Sequence, residues 1–315
     1  MQGFRISLVL GVVVIVVLAV AGLFPVALIA AAILIPLITV LYLYDVDLYE
    51  DEPLRVIAFT MAWGVVTGIL VGLVARAMTP SAGAALGATT GSRALKEGLL
   101  IPIIAVVVML AGPLILLPYR KFNDVLDGAT FGAASAVSFA GALVITEAVG
   151  FLGAGLRPIG AVWPWLFRLL ALGVAIPILY AGSIGSASAA FWLRYRAPAR
   201  DRSVLGALGH PVSAVLLAAA LVVAGSVLEV LLSPLLSLLC LIVLDAVALV
   251  WLRRVIHLGL LEEAAEKELG PEIACPNCGQ ATPSRGFCVN CGVSLVALPK
   301  ARAGASPPTA AETMP

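Results

Sequence analysis

The sequence predicts an all-α polytopic membrane protein of about eight transmembrane helices, followed by a small cysteine-containing module at the C-terminal end. Hydrophobic residues make up 62% of the chain and charged residues only 12%, whereas soluble domains carry roughly 25% charged residues. Apolar stretches follow one another from about Ile6 to Leu252, and the composition becomes polar after Arg254. These observations exclude most classes of soluble protein.

The predicted spans come directly from segment length. A spanning helix needs roughly 20 apolar residues, because the hydrocarbon core is about 30 Å thick and a helix rises about 1.5 Å per residue. Eight stretches meet this requirement: 6–24, 26–44, 56–78, 98–118, 128–154, 162–193, 204–225 and 227–252. Pro177 predicts a kink in the sixth span. Tight hairpins are predicted at Leu23-Phe24-Pro25 and at Gly225-Ser226, which places both chain ends on one side.

Basic residues indicate which side this is. Ten arginines and lysines flank the spans on the side of Met1 and five flank them on the other side. The positive-inside rule then predicts cytoplasmic N- and C-termini, in what we expect to be a bacterial plasma membrane. Ala19-Val20-Ala21 has the A-x-A form of a signal-peptide cleavage site. The apolar run before it is longer than a usual signal peptide and another span follows at once, which favours a membrane helix.

The C-terminal region contains two matching C-x-x-C-G turns, Cys275-Pro276-Asn277-Cys278-Gly279 and Cys288-Val289-Asn290-Cys291-Gly292. Each turn places two thiolates on one metal ion, and its glycine allows the tight bend. Four sulfur ligands predict a closed, structural zinc site without an open position for water. A redox dithiol pair is the alternative reading of a C-x-x-C motif.

This tail resembles the short zinc ribbons found on many bacterial proteins, and we expect it to be a cytoplasmic interaction module. Its nearby basic residues are Arg285, Lys300 and Arg302, too few to predict nucleic-acid binding. The predicted organisation is a transmembrane domain at 1–256, a linker at 257–271, a zinc ribbon at 272–298 and a disordered tail at 299–315.

Two further polar features remain in the membrane domain. Cys240, the fifth cysteine, lies in the last span and is interpreted as a small helix-packing residue. The acidic loop at 45–52 either binds a divalent cation through carboxylate oxygens or is a solvated loop.

Three stretches carry a resemblance to a known family. The loop from Tyr44 to Pro53 is similar to a D-x-Y-E-x-E-P turn, Arg120–Ala134 contains a basic-F-x-D, D-G and G-A-A pattern, and Ala181–Gly185 matches a small-residue helix segment. Together they resemble the PrsW family of membrane peptidases, in the group that includes CAAX-processing proteases. The resemblance covers roughly residues 41–190.

The resemblance implies proteolysis in or near the membrane, but the family's catalytic pattern is degenerate in this chain. Its paired glutamates and lysine fall at Lys96, Glu97 and Leu100, its later glutamate falls at Leu143, and its histidine falls at Pro177. The remaining candidates for catalysis are Glu97, Glu147 and His210. A carboxylate can act as a general base, and histidine can polarise a carbonyl group.

Helix depth separates these candidates. Glu97 and Glu147 both fall near the external side, whereas His210 is predicted roughly 20 Å away in depth at about 1.5 Å per residue. We therefore expect a structural ion pair between Lys96 and Glu147 rather than a hydrolytic pair with His210. Asp245, the remaining acid within a span, is expected to cap a polar pocket or to face His210.

Three functional hypotheses follow. The first is a PrsW-like membrane protein without peptidase activity that binds a peptide or a membrane-protein partner and contacts a further partner through its zinc ribbon. The second is an active peptidase with a site rearranged around Glu97 and Glu147. The third is a transporter, which the absence of an evident inverted repeat disfavours.

Overall fold

The computed structural model describes residues 2–46, 54–78, 90–152, 162–196, 205–266, 272–284, 287–288 and 290–295. The chain divides into two compact units, Met1–Glu262 and Glu263–Pro315. The described α-helices are α1 (Gln2–Val20), α2 (Phe24–Val46), α3 (Leu54–Met78), α4 (Thr90–Arg93), α5 (Ile101–Leu116), α6 (Val125–Leu152), α7 (Val162–Leu170), α8 (Ile176–Tyr195), α9 (Pro211–Leu231) and α10 (Pro234–Glu266). The remaining elements are two π-helical segments, π1 (Ala94–Leu100) and π2 (Ala171–Ala175), a 3-10 turn (Gly206–Gly209), and strands β1 (Glu272–Ala274) and β2 (Ala281–Pro283).

The helices confirm an integral membrane protein and most of the predicted spans. Among the described residues, six helical stretches are long and apolar enough to cross a membrane: Arg55–Met78, Ala94–Leu116, Val125–Val149, Val162–Tyr195, Pro211–Leu231 and Pro234–Leu260. The first two predicted spans correspond to shorter apolar helices, Ile6–Val20 and Phe24–Thr39, of 10–17 residues. By length and composition the described residues therefore show six of the eight predicted spans.

Two boundaries in the second half of the chain also differ from the prediction. The predicted hairpin at Gly225-Ser226 is helical, because α9 continues to Leu231 and the chain turns at Leu232 and Ser233. Pro234 then starts α10, at the helix position where its missing N–H costs nothing. The predicted linker at 257–271 is helical as far as Glu266.

Helix α6 forms the centre of the first unit and packs against α3, α8, α2 and α5. Small residues allow these helices to approach closely: a methyl group at Gly68 of α3 would lie 2.5 Å from the carbonyl oxygen of Phe139 in α6. Phe139 itself is fully buried and its ring lies 6.4 Å from that of Tyr180 in α8. Close backbone approach thus fixes the position of α6, which carries Glu147.

Helix α5 contains Pro113, whose missing N–H leaves the Met109 carbonyl without its usual helical donor. The hydroxyl of Ser135 in α6 donates to this carbonyl at 2.9 Å, in a buried position. At the preceding residue, the indole N–H of Trp63 in α3 donates to the Val108 carbonyl at 2.8 Å. Side chains of two neighbouring helices therefore satisfy the backbone around the proline, as a helix in lipid requires.

Candidate functional site

The first candidate site begins at π1, the segment that carries Glu97. Pro102 lies at the second position of α5 and has no N–H for the Gly98 carbonyl, and the chain before it forms wider π turns. A methyl group at Gly98 would lie 3.0 Å from the Val227 side chain, so π1 packs closely on α9. Glu97 is half-buried beside this contact. Pro177 follows π2 in the same manner, between α7 and α8.

Glu147 lies near the end of α6, on the side predicted to be external. Its position is fixed by α3, where Arg76 donates a hydrogen bond to the Thr146 carbonyl at 3.2 Å. The charged groups that act on Glu147 are Arg168 of α7 and Glu97 of π1. Glu147 and Arg168 are both exposed at the surface of the first unit.

A third glutamate, Glu229, joins these groups from the end of α9. It lies within electrostatic range of both Glu147 and Arg168. Below it on α9, the Ser226 hydroxyl donates to the Val222 carbonyl at 3.1 Å. The same hydroxyl oxygen is hydrogen-bonded to the phenol of Tyr180, which is buried in α8.

We call this set the glutamate cluster: Glu97, Glu147, Glu229, Arg168, Tyr180 and Ser226. It combines three carboxyl groups with one guanidinium group, and ionisable groups in membrane helices are usually paired and functional. Four of the six spanning stretches contribute residues to it, and two of these stretches contain π-helical turns, which are frequent at functional sites. The arrangement can receive a cationic or hydrogen-bond-donating group at the exposed Glu147.

Glu97 and Glu147 lie within electrostatic range of each other, whereas His210 lies at the N-terminal end of α9, far from both. His210 is exposed at the N-terminal cap of α9, where its Nδ1 accepts from the Val212 amide at 3.3 Å. It lies roughly 26 Å along the α9 axis from Val227, at about 1.5 Å per residue. The cation facing Glu147 is Arg168, whereas the sequence had suggested Lys96.

Four members of the cluster were not predicted as site residues. Glu229 falls at the start of the last predicted span, Arg168 belongs to the external basic residues, Ser226 falls in a predicted hairpin, and Tyr180 lies within the sixth predicted span. The signal for Glu229 and Arg168 was present, because an ionisable side chain within an apolar span is by default a candidate for function.

The second candidate site is the cysteine centre of the C-terminal unit. The sulfur atoms of Cys275, Cys278, Cys288 and Cys291 all lie within 4.8 Å of one another and could hold a metal ion. Cys275 and Cys291 are 3.7 Å apart, and Cys278 and Cys288 are 3.6 Å apart. A disulfide would require about 2.0 Å, so the four cysteines are free thiols.

The two turns that present these sulfurs have the same backbone geometry. In each, the glycine amide donates to the first cysteine carbonyl at 2.8 Å, and the glycine has a positive φ, 73° at Gly279 and 69° at Gly292. Only glycine adopts this conformation readily, which explains both C-x-x-C-G motifs. The antiparallel pair β1 and β2 flanks the first turn, and a bridge between Phe287 and Ser294 flanks the second.

Polar groups around two of the sulfurs favour thiolates. Burial opposes ionisation of Cys288, but the backbone amides of Cys291 and Asn290 and the neighbouring thiols lower its pKa to about 6. The Asn277 side chain, which donates to the Cys291 sulfur at 3.5 Å, lowers the pKa of Cys291. A thiolate is the form that binds metal.

No family model, curated protein or solved structure matches this chain.

Proposed function

We propose that this chain is a PrsW-like integral membrane protein without peptidase activity, which binds a peptide or a membrane-protein partner at the glutamate cluster. The observation that carries the proposal is the make-up of the cluster, in which three glutamates meet Arg168 and Tyr180 without a histidine. The chain has only two histidines. His210 caps the far end of α9, and His257 lies roughly 34 Å along α10 from Pro234, at about 1.5 Å per residue.

The chemistry of the cluster indicates the kind of group it binds. A lysine or arginine side chain, or an N-terminal ammonium group, would offset the excess of carboxyl groups that Arg168 leaves. Glu147 is exposed, so a cationic side chain near the end of a partner's transmembrane helix can reach it. Hydrogen bonds to charged groups contribute about 1.5–3 kcal/mol each.

For the second unit we propose one structural zinc ion on the cytoplasmic side. In a tetrahedron with Zn–S bonds of about 2.3 Å, neighbouring sulfurs are about 3.8 Å apart. The observed sulfur distances of 3.6 and 3.7 Å support this geometry. All four positions are filled by protein, so the ion would stabilise the module, and the module would serve as a contact for another protein.

The binding proposal is tested with synthetic transmembrane peptides in nanodiscs. One peptide carries a lysine near the external end of its helix, and a matched peptide carries norleucine there. We expect only the lysine peptide to bind, and Glu147→Gln or Glu229→Gln to weaken binding by about tenfold to 100-fold, at about 1.4 kcal/mol per tenfold. Lys96→Gln, on π1, is the control that keeps all three carboxylates. Equal binding of both peptides, or no effect of either glutamine variant, would contradict the proposal.

One observation favours a second candidate function, the active peptidase. Glu97 lies within electrostatic range of Glu147, which is the arrangement that a rearranged two-carboxylate site requires. In such a site one carboxylate would activate water as a general base. The two functions differ in one outcome: a peptidase cleaves the bound peptide, and Glu97→Gln or Glu147→Gln abolishes cleavage.

A further inference from the structure

The two cysteine turns of the C-terminal unit give their second cysteines the same backbone donors. The Cys278 sulfur accepts a hydrogen bond from the Gln280 amide, two residues further along the chain. The Cys291 sulfur accepts in the same way from the Val293 amide. Because the backbone treats these two sulfurs alike, a difference between them must come from side chains.

An asparagine precedes the second cysteine in both turns, yet the two asparagine side chains have different partners. The Asn277 side chain crosses to the other turn and donates to the Cys291 sulfur at 3.5 Å. Its counterpart Asn290 donates to the Ala281 carbonyl at 3.4 Å. In the described part of the unit, Cys291 thus has a side-chain amide donor, whereas Cys278 has a backbone amide and the neighbouring thiols.

Both asparagines tie the two turns together. Ala281 pairs with Ala274 in the strand pair that flanks the first turn. Asn290 therefore fastens the second turn to these strands, while Asn277 fastens the first turn to a sulfur of the second. Only the Asn277 hydrogen bond reaches a metal-binding atom.

The sulfurs that differ in this way are also the accessible ones. Cys275 and Cys288 are 2% and 0% exposed, whereas Cys278 and Cys291 are half-buried. A reagent from solution therefore reaches the second cysteine of each turn first. These two cysteines share a burial class and a backbone donor, so the Asn277 hydrogen bond is the contact that distinguishes them.

A hydrogen bond to a metal-bound thiolate changes the reactivity of that thiolate. Zinc ligands are deprotonated, so each sulfur carries negative charge when the ion is bound. An N–H donor to an ionised acceptor forms a charge-assisted hydrogen bond, which stabilises this charge. The thiolate is the nucleophilic form of cysteine. A sulfur whose charge is stabilised in this way therefore attacks electrophiles more slowly.

We propose that Asn277 is a positioning residue of the metal centre: it holds the Cys291 thiolate across the two turns and leaves Cys278 as the most reactive sulfur of the metal-bound centre. This inference rests on the proposed zinc ion and adds the order in which its ligands react. Cys278 is the site at which an electrophile first modifies the centre. Asn290 has a structural role only, because its hydrogen bond does not touch a sulfur.

Partial alkylation of the zinc-loaded, full-length protein in nanodiscs measures this order. Iodoacetamide transfers its carbamidomethyl group to a thiolate sulfur and releases iodide. Trypsin cleavage after Arg285 separates the two turns, and fragment masses locate the modified sulfur. At low conversion, Cys278 should be alkylated about tenfold faster than Cys291. In Asn277→Ala the two rates should become equal, whereas the matched control Asn290→Ala should keep the preference for Cys278.

Cobalt(II) in place of zinc gives a readout that a loss of stability alone does not reproduce. Loss of the N–H donor raises the energy of the sulfur electrons, so the sulfur-to-cobalt charge-transfer band should move to longer wavelength in Asn277→Ala. The band should stay in place in Asn290→Ala. Zinc affinity should also fall by about tenfold to 100-fold in Asn277→Ala, as is typical for groups that hydrogen-bond to metal ligands.

Zinc content, measured on the same samples, separates this inference from the proposed zinc site. Equal alkylation of Cys278 and Cys291 in a parent protein that holds zinc would overturn the role of Asn277 and leave the zinc site standing. An unshifted cobalt band in Asn277→Ala would do the same. A parent protein that binds neither zinc nor cobalt would overturn both.

Discussion

Replacement of the metal-binding cysteines should remove one zinc ion per chain. Structural zinc in small modules contributes about 10–16 kcal/mol of apparent binding free energy, or roughly 3–4 kcal/mol for each of four ligands. Loss of one ligand in Cys275→Ser should therefore weaken binding by about 100-fold to 1000-fold, at about 1.4 kcal/mol per tenfold. The double variant Cys275→Ser, Cys278→Ser leaves two sulfurs and should hold no zinc after purification.

The measurement is metal content by mass spectrometry, together with competition against a chelator of known affinity. Cys240→Ser is the matched control, because Cys240 lies in α10, outside the cysteine centre. This variant should retain the full complement of zinc. If the double variant keeps one zinc ion per chain, or if Cys240→Ser loses it, the four-cysteine centre is not the metal site.

The remaining predictions concern pH, packing and topology. Acidification should release the metal. The Gln280 amide lowers the pKa of Cys278, but burial and hydrogen bonds to Cys288, Cys291 and Cys275 together outweigh it and raise this pKa to about 12. Zinc must therefore displace a proton that acid restores, and chelator competition should show that zinc affinity falls as the pH is lowered from neutral to acidic. Ser135→Ala should lower the free energy of unfolding by about 1–3 kcal/mol, because it leaves the Met109 carbonyl unsatisfied. In a Pro113→Ala background a backbone N–H is restored, so thermal unfolding should show a smaller loss of stability. Equal losses in the two backgrounds would refute this pairing. A reporter fused after Pro315 should signal from the cytoplasm, and an external signal would reverse the predicted orientation.

The cysteine centre could be predicted from sequence because its information is local. Each C-x-x-C-G turn determines its own bend through one glycine, and two such turns nine residues apart need only a short chain between them to share a metal ion. The membrane character was equally accessible, since long apolar segments specify helices in lipid. The ends of the spans were harder to predict, because turn-like residues such as Gly225 and Ser226 lie inside α9 and not between two helices.

The glutamate cluster was only partly accessible because its members come from distant segments. Gly225 and Ser226 are typical turn residues, and Ser226 to Glu229 has the S-x-x-E form of a helix start. In the structure α9 continues through them, since a turn within lipid would expose unpaired backbone groups. Only this continuation places Glu229 beside Glu147. The π-helical turns before Pro102 and Pro177 are likewise tertiary outcomes that periodicity does not reveal.

The proposed role of the glutamate cluster is to bind a peptide without cutting it. The most direct measurement incubates the protein in nanodiscs with the lysine-bearing transmembrane peptide and follows both binding and the mass of the peptide. We expect bound, intact peptide in the parent protein, and weaker binding of intact peptide in Glu147→Gln. Peptide fragments formed by the parent and missing in Glu97→Gln or Glu147→Gln would contradict the claim and assign the cluster to a peptidase.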